Sequence, residues 1–86
     1  MKLKKDVAVS EAGLVFNPTT GESFSVNPIG VEILGLIREE KDFAEISRII
    51  TSRYNIDKAT FERDYQDFTA VLEQHNLLVT DGKKKT

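Results

Sequence analysis

LVFNPTTGESFSVNPIG, residues 14–30, decides the fold, because two short alternating segments flank a turn and run straight into a capped helix. Leu14 to Phe16 reads as a strand. Asn17-Pro18-Thr19-Thr20-Gly21 is turn chemistry throughout: Asn and Pro start turns, Gly reaches positive φ, and Pro18 has no N–H to give to a ladder. Glu22 to Val26 alternates again, with Phe24 and Val26 on one face and Ser23 and Ser25 on the other. Asn27-Pro28 then starts a helix, with Asn as N-cap and Pro at the first helical position, where its missing N–H costs nothing.

Upstream of this stretch, Val7 and Val9 alternate with polar neighbours and Glu11 to Gly13 forms a turn. Three strands joined by tight turns make a meander, and its third strand is an edge. Downstream, the chain is helical. The first helix carries Ile29, Ile33, Leu34, Leu36 and Ile37 at helical spacing and ends near Glu39 to Lys41. Gly30 and Gly35 inside it cost about 1 kcal/mol each relative to Ala. They mark either the close approach of another backbone or a tolerated small residue.

Asp42 with Glu45 three residues on is a capping box that opens a second helix, with Phe43, Ile46, Ile49, Ile50 and Tyr54 on one side. Asp57 caps a third helix that runs to about Asn76. Its apolar arc centres on Phe61, Phe68 and Leu72, with Tyr65 on one shoulder and Val71 and His75 on the other. Asn76 is suited to a left-handed cap, after which Leu77-Leu78-Val79 folds back. The expected class is α+β and winged helix-turn-helix-like: an N-terminal three-stranded antiparallel meander followed by three helices. We expect one domain over residues 6–80, a flexible N-terminal tail over residues 1–5 and a basic disordered tail over residues 81–86.

Composition narrows the function. In 86 residues there is room for a single core and none for a second domain that could close over a substrate. Cysteine is absent, which excludes disulfides and thiolate metal sites. No apolar run approaches the roughly 20 residues that would cross a bilayer, and the opening MKLKKDVAV turns polar too soon for a secretory segment. A cytoplasmic protein is expected. His75 is the sole histidine, with no Cys to work beside it, and the scattered carboxylates supply no metal-ligand cluster. Glu39/Glu40 and Asp64/Asp67 sit at helix-surface positions, where solvation is the default. Gly21 is single and precedes a strand, so it is no phosphate cradle. Neither catalysis by this chain nor a cofactor is expected.

The net charge of -2 conceals an asymmetry, because Lys2, Lys4, Lys5, Lys83, Lys84 and Lys85 lie in the two tails. Residues 6–82 hold six cations against all fourteen carboxylates, a net of -8. Such a surface repels a phosphate backbone. The winged-helix DNA reader also needs Arg, Lys, Asn or Gln on its recognition helix, yet Asp57 to His75 carries a net -3. Peptide binding and a structural dimer contact remain. The strand from Glu22 to Val26 has neither Lys nor Pro as edge protection, so an extended peptide, or a second copy of the chain, could pair with it. A monomer or weak homodimer is expected, and the acidic domain favours a partner bearing Lys or Arg.

The order of these pieces resembles the PqqD family, the peptide chaperones of pyrroloquinoline quinone synthesis, and the wider set of precursor-peptide recognition elements in ribosomal natural-product pathways. The similar stretch runs from about Val7 to Leu78. It comprises the hairpin ending in SFSVN, then Asn27, Gly30, Ile33, Leu34, Leu36 and Ile37 as N-x-x-G-x-x-I-L-x-L-I, Glu45-Ile46, Tyr54-Asn55, and Phe61, Asp64, Phe68 and Leu72 closing in Leu77-Leu78. The resemblance implies a non-catalytic adaptor. It would bind the leader segment of a precursor peptide and present it to a modifying enzyme, often a radical enzyme using S-adenosylmethionine. The leader would add as a strand to Glu22, Ser23, Phe24, Ser25 and Val26, against an apolar wall of Phe61, Tyr65 and Phe68. Two departures stand out: the usual glycine between the first two helices is Glu40-Lys41, and the glycine before the final Leu-Leu is Asn76.

Overall fold

The structure, a computed structural model, describes residues 2–79. The basic tail expected over residues 81–86 lies outside them. Strands β1 (Ala8–Val9), β2 (Leu14–Asn17) and β3 (Glu22–Ser25) precede helices α1 (Pro28–Arg38), α2 (Phe43–Tyr54) and α3 (Lys58–Gln74). The fold is therefore α+β, with the strands first and the helices after. The sheet is antiparallel in the order β1-β2-β3, with Val9 opposite Val15 and Val15 opposite Phe24.

Each helix begins where its cap dictates. Asn27 accepts from the Gly30 amide at 2.8 Å, Asp42 from Glu45 at 2.9 Å and Asp57 from Thr60 at 3.1 Å, each satisfying an amide that has no partner within its helix. The ends of α1 and α3 share one device. Glu40 and Asn76 adopt left-handed φ of 65° and 58°, and the residues after them bond back, Lys41 to the Leu36 carbonyl and Leu77 to that of Leu72. This is the Schellman closure, which glycine ordinarily serves. Both departures from the family's glycines thus sit where positive φ is required, and Asn76 meets it more cheaply than Glu40.

Val15 from the sheet, Ile33, Leu34 and Ile37 from α1, Ile46 and Ile50 from α2, and Phe61, Tyr65 and Leu72 from α3 form one buried core. Burying each large apolar side chain contributes about 1.5–3 kcal/mol. The N-terminus departs from expectation. Leu3 is only 6% exposed and pairs with Leu78, while the Lys4 amide donates to Leu77 and the Val79 amide to Lys2. The tail expected over residues 1–5 is therefore anchored at Leu3. The Leu3 side chain is buried, and the Lys4 amide and Lys2 carbonyl are satisfied by the segment that the α3 closure turns back.

The helical glycines separate. A Cβ on Gly30 would lie 3.0 Å from the Val26 Cβ and 3.3 Å from Phe68 Cε1, so side chains rather than a backbone crowd it. Gly35 faces open space and is simply tolerated.

Candidate functional site

The free margin of β3 follows from its ladder. Val26 donates to the Gly13 carbonyl at 2.7 Å, which makes Gly13 and Val26 a hydrogen-bonded pair. Antiparallel pairing alternates, so Val15/Phe24 is bonded next, and Leu14/Ser25 and Phe16/Ser23 are the pairs between. The amides and carbonyls of Ser23 and Ser25 therefore point away from β2. Among the described residues, no other strand meets them. Gly13 makes this register possible: it sits at φ +98°, and a Cβ there would fall 2.3 Å from the Val26 oxygen.

Beside this margin lies an apolar cleft in two connected parts. One, of about 250 Å³, is bounded by Phe24, Ser25 and Val26 of the strand segment and by Phe68 and Val71 of α3. The other, of about 380 Å³, continues between α1 and α3 over Ile29, Gly30, Ile33, Ile56 and Phe61, with Asp64 and Asp67 also lining it. Asn27, Phe68 and Val71 belong to both. A chain paired with Ser23 and Ser25 and running on past Val26 would cross from one part into the other.

Two contacts hold β3 to the end of α3. The His75 ring stacks on Phe24 with centroids 4.8 Å apart, and its Nδ1 lies 2.9 Å from Glu22 Oε1. Nearby, the buried Asn17 donates to the His75 carbonyl at 3.3 Å and accepts from the Thr19 amide at 3.0 Å. Among the described residues, no group of three or more His, Asp or Glu could hold a metal ion.

The structure brings together most of the residues expected at the site: Glu22 to Val26 form the margin, Phe61 the cleft floor and Phe68 its wall. Tyr65 stands elsewhere. It packs against Phe43 and Phe61, with centroids 4.9 and 5.7 Å away, on the α2 side of α3, and burial raises its phenol above the ordinary value. The wall gains Val71, Ile29, Ile33 and Ile56 instead. Val71 was legible, because Phe61, Asp64, Phe68 and Val71 fall on one stripe of a helix. Ile56, in the connection between α2 and α3, carried no periodic signal.

Residues 13–78 match the family described as coenzyme PQQ synthesis protein D. The chain belongs to the PqqD family. Among solved structures, TbiB1 in complex with the TbiA(beta) leader peptide is similar with a TM-score of 0.82 and 30% sequence identity, over 99% of this chain and 100% of that one. Lasso peptide synthetase B1 complexed with the leader peptide is similar with a TM-score of 0.80, over 92% and 96% of the two chains. Its 18% identity makes that a likeness of fold. A search of curated proteins finds no match. The matched PqqD segment includes the whole of β3, α1, α2 and α3, so both walls of the cleft belong to it. No helix among the described residues is long and apolar enough to cross a membrane.

Proposed function

We propose that this PqqD-family chain is a non-catalytic adaptor that binds the leader segment of a ribosomally made precursor peptide and presents it to a modifying enzyme. The family resemblance points to a radical S-adenosylmethionine enzyme as that partner's class. The observation that carries the reading is the outward set of the Ser23 and Ser25 amides and carbonyls beside an apolar cleft. Strand addition uses those groups for affinity and the cleft for alternate side chains. Each backbone hydrogen bond so formed contributes about 0.5–1.5 kcal/mol net. The similarity to TbiB1, itself solved with a leader peptide, supports the same reading.

A duplex-DNA reader fits less well. Asp64 and Asp67 line the cleft, and the segment from Asp57 to His75 carries a net -3, both opposed to phosphate.

The test is a backbone NMR titration with the leader peptide encoded beside the gene. Shifts should concentrate at Ser23, Ser25, Phe68 and Val71. Shifts confined to residues 2–5 would defeat the proposal, and doubled mass without peptide would favour a second copy on the same margin. Ser25→Pro should fold, because its amide faces away from β2, and should bind the leader about tenfold more weakly. Unchanged binding by that variant would remove backbone pairing at Ser25.

A further inference from the structure

We infer that the part of the cleft between α1 and α3 selects a leader carrying a Lys or Arg beside an apolar anchor, with Asp64 and Asp67 as the specificity-determining pair. The inference rests on the leader-binding reading above and adds the chemistry of the occupant. Asp64 and Asp67 are the charged residues lining this cavity, and no cation lines it with them.

Several carboxylates among the described residues are already engaged. Glu32 receives Arg53 and Tyr54 at 2.8 and 2.7 Å, Glu45 lies 3.8 Å from both Lys41 and Arg48, and Glu22 meets His75. Asp42 and Asp57 cap helices. The carboxylates of Asp64 and Asp67 have no ion pair or hydrogen bond among the described residues. They are exposed, yet stand over walls made by Ile29, Ile33, Phe68 and Val71.

Spaced three apart on a helix, the two Cβ atoms are about 5–6 Å from one another, so one cation reaches both. A Lys or Arg suits the place because its aliphatic stem lies on apolar surface while its head stays at the rim. An adjoining apolar side chain would fill the floor over Phe61 and Ile56. Both parts of the cleft share Asn27, Phe68 and Val71, so this subsite continues directly from the β3 margin. Charge at such a rim acts chiefly on encounter rate and partner choice.

The experiment displays a library of random peptides about 15 residues long and selects on the full-length chain at low salt, a length sufficient to span the margin and the cleft. Wild type should enrich peptides in which Lys or Arg lies within a few residues of an apolar anchor. The double variant Asp64→Asn, Asp67→Asn should keep the apolar preference and lose the basic one. Glu62→Gln with Glu73→Gln removes the same charge from α3 residues that do not line this cavity, and should leave both preferences intact. In the best selected peptide, replacing its Lys or Arg with Gln should weaken wild-type binding about fivefold and the Asp64→Asn, Asp67→Asn variant less than about twofold.

A basic preference absent from wild type, or retained when both aspartates are replaced, overturns the inference while leader binding stands. Equal loss in the Glu62/Glu73 control overturns it too, since net charge rather than the rim would then be selecting. Enrichment that Ser25→Pro leaves unchanged strikes instead at strand addition, and failure to enrich any peptide overturns both.

Discussion

The molecule treats its extended backbone in opposite ways at two places. Lys2 to Lys4 lie against Leu77 to Val79, with Leu3 and Leu77 buried, so that pairing is closed by the chain itself. At β3 the outward groups of Ser23 and Ser25 meet no strand among the described residues, and a cleft opens beside them. Both places present backbone N–H and C=O groups for pairing. The difference is what faces them: a buried leucine on each of the paired segments in the first case, and serines beside a half-buried Phe24 in the second. A margin that is satisfied internally adds stability, whereas one left vacant retains its hydrogen bonds for a partner.

Gly13→Ala should have the largest effect and break the vacant margin. Positive φ and a Cβ 2.3 Å from the Val26 oxygen should cost about 3 kcal/mol in urea unfolding and displace the end of β3, with leader binding falling alongside. Normal stability in that variant would show that the β2–β3 register can shift without penalty. Leu3→Ala should separate the two places. Truncating a buried leucine costs about 2–5 kcal/mol, with the lower end expected this close to the terminus, while leader affinity measured on the folded fraction stays unchanged. An equal loss of affinity would mean that the two places are coupled.

Glu40→Gly should sharpen the contrast by reinforcing the closed side. It relieves a left-handed Glu near Lys2 and Leu3 and should stabilise by about 1 kcal/mol without altering binding. The 3.9 Å contact between Lys2 and Glu40, exposed on both sides, offers little to lose. The smallest effect is alkaline and touches neither place. Tyr54 has a raised pKa, first because it donates to Glu32, and Tyr65 has one because it is buried. An unfolded tyrosine titrates near 10.0, so the unfolded state loses its protons first. Their contribution is complete below that pH and declines as pH rises through the higher folded values. Tyr54→Phe should therefore flatten the fall in stability above pH 10, as read by denaturant melts at successive pH.

The legible parts of this molecule were those governed by neighbours in sequence. Asn27-Pro28, Asp42 and Asp57 each announced a helix start, because a side-chain oxygen and an amide three residues on are brought together by local geometry alone. The edge position of the third strand was equally visible, since meander order follows from short turns. The packing of Tyr65 was not legible for the converse reason: a shoulder residue on an amphipathic helix packs against whichever element lies beside it, and here that is Phe43 of α2. The anchoring of Leu3 was hidden as well, because its partner Leu78 lies at the other end of the chain.

Sequence by itself determined the element order, the caps, the left-handed closure at Asn76 and the acidic character of the folded part, all properties of local sterics and of charge that travel with the residue. Tertiary structure decided which serine amides face outward, which side of α3 walls the cleft and where Asp64 and Asp67 stand relative to it. Those depend on register and on helix packing, where a shift of one residue in a strand or about 100° on a helix exchanges one face for another.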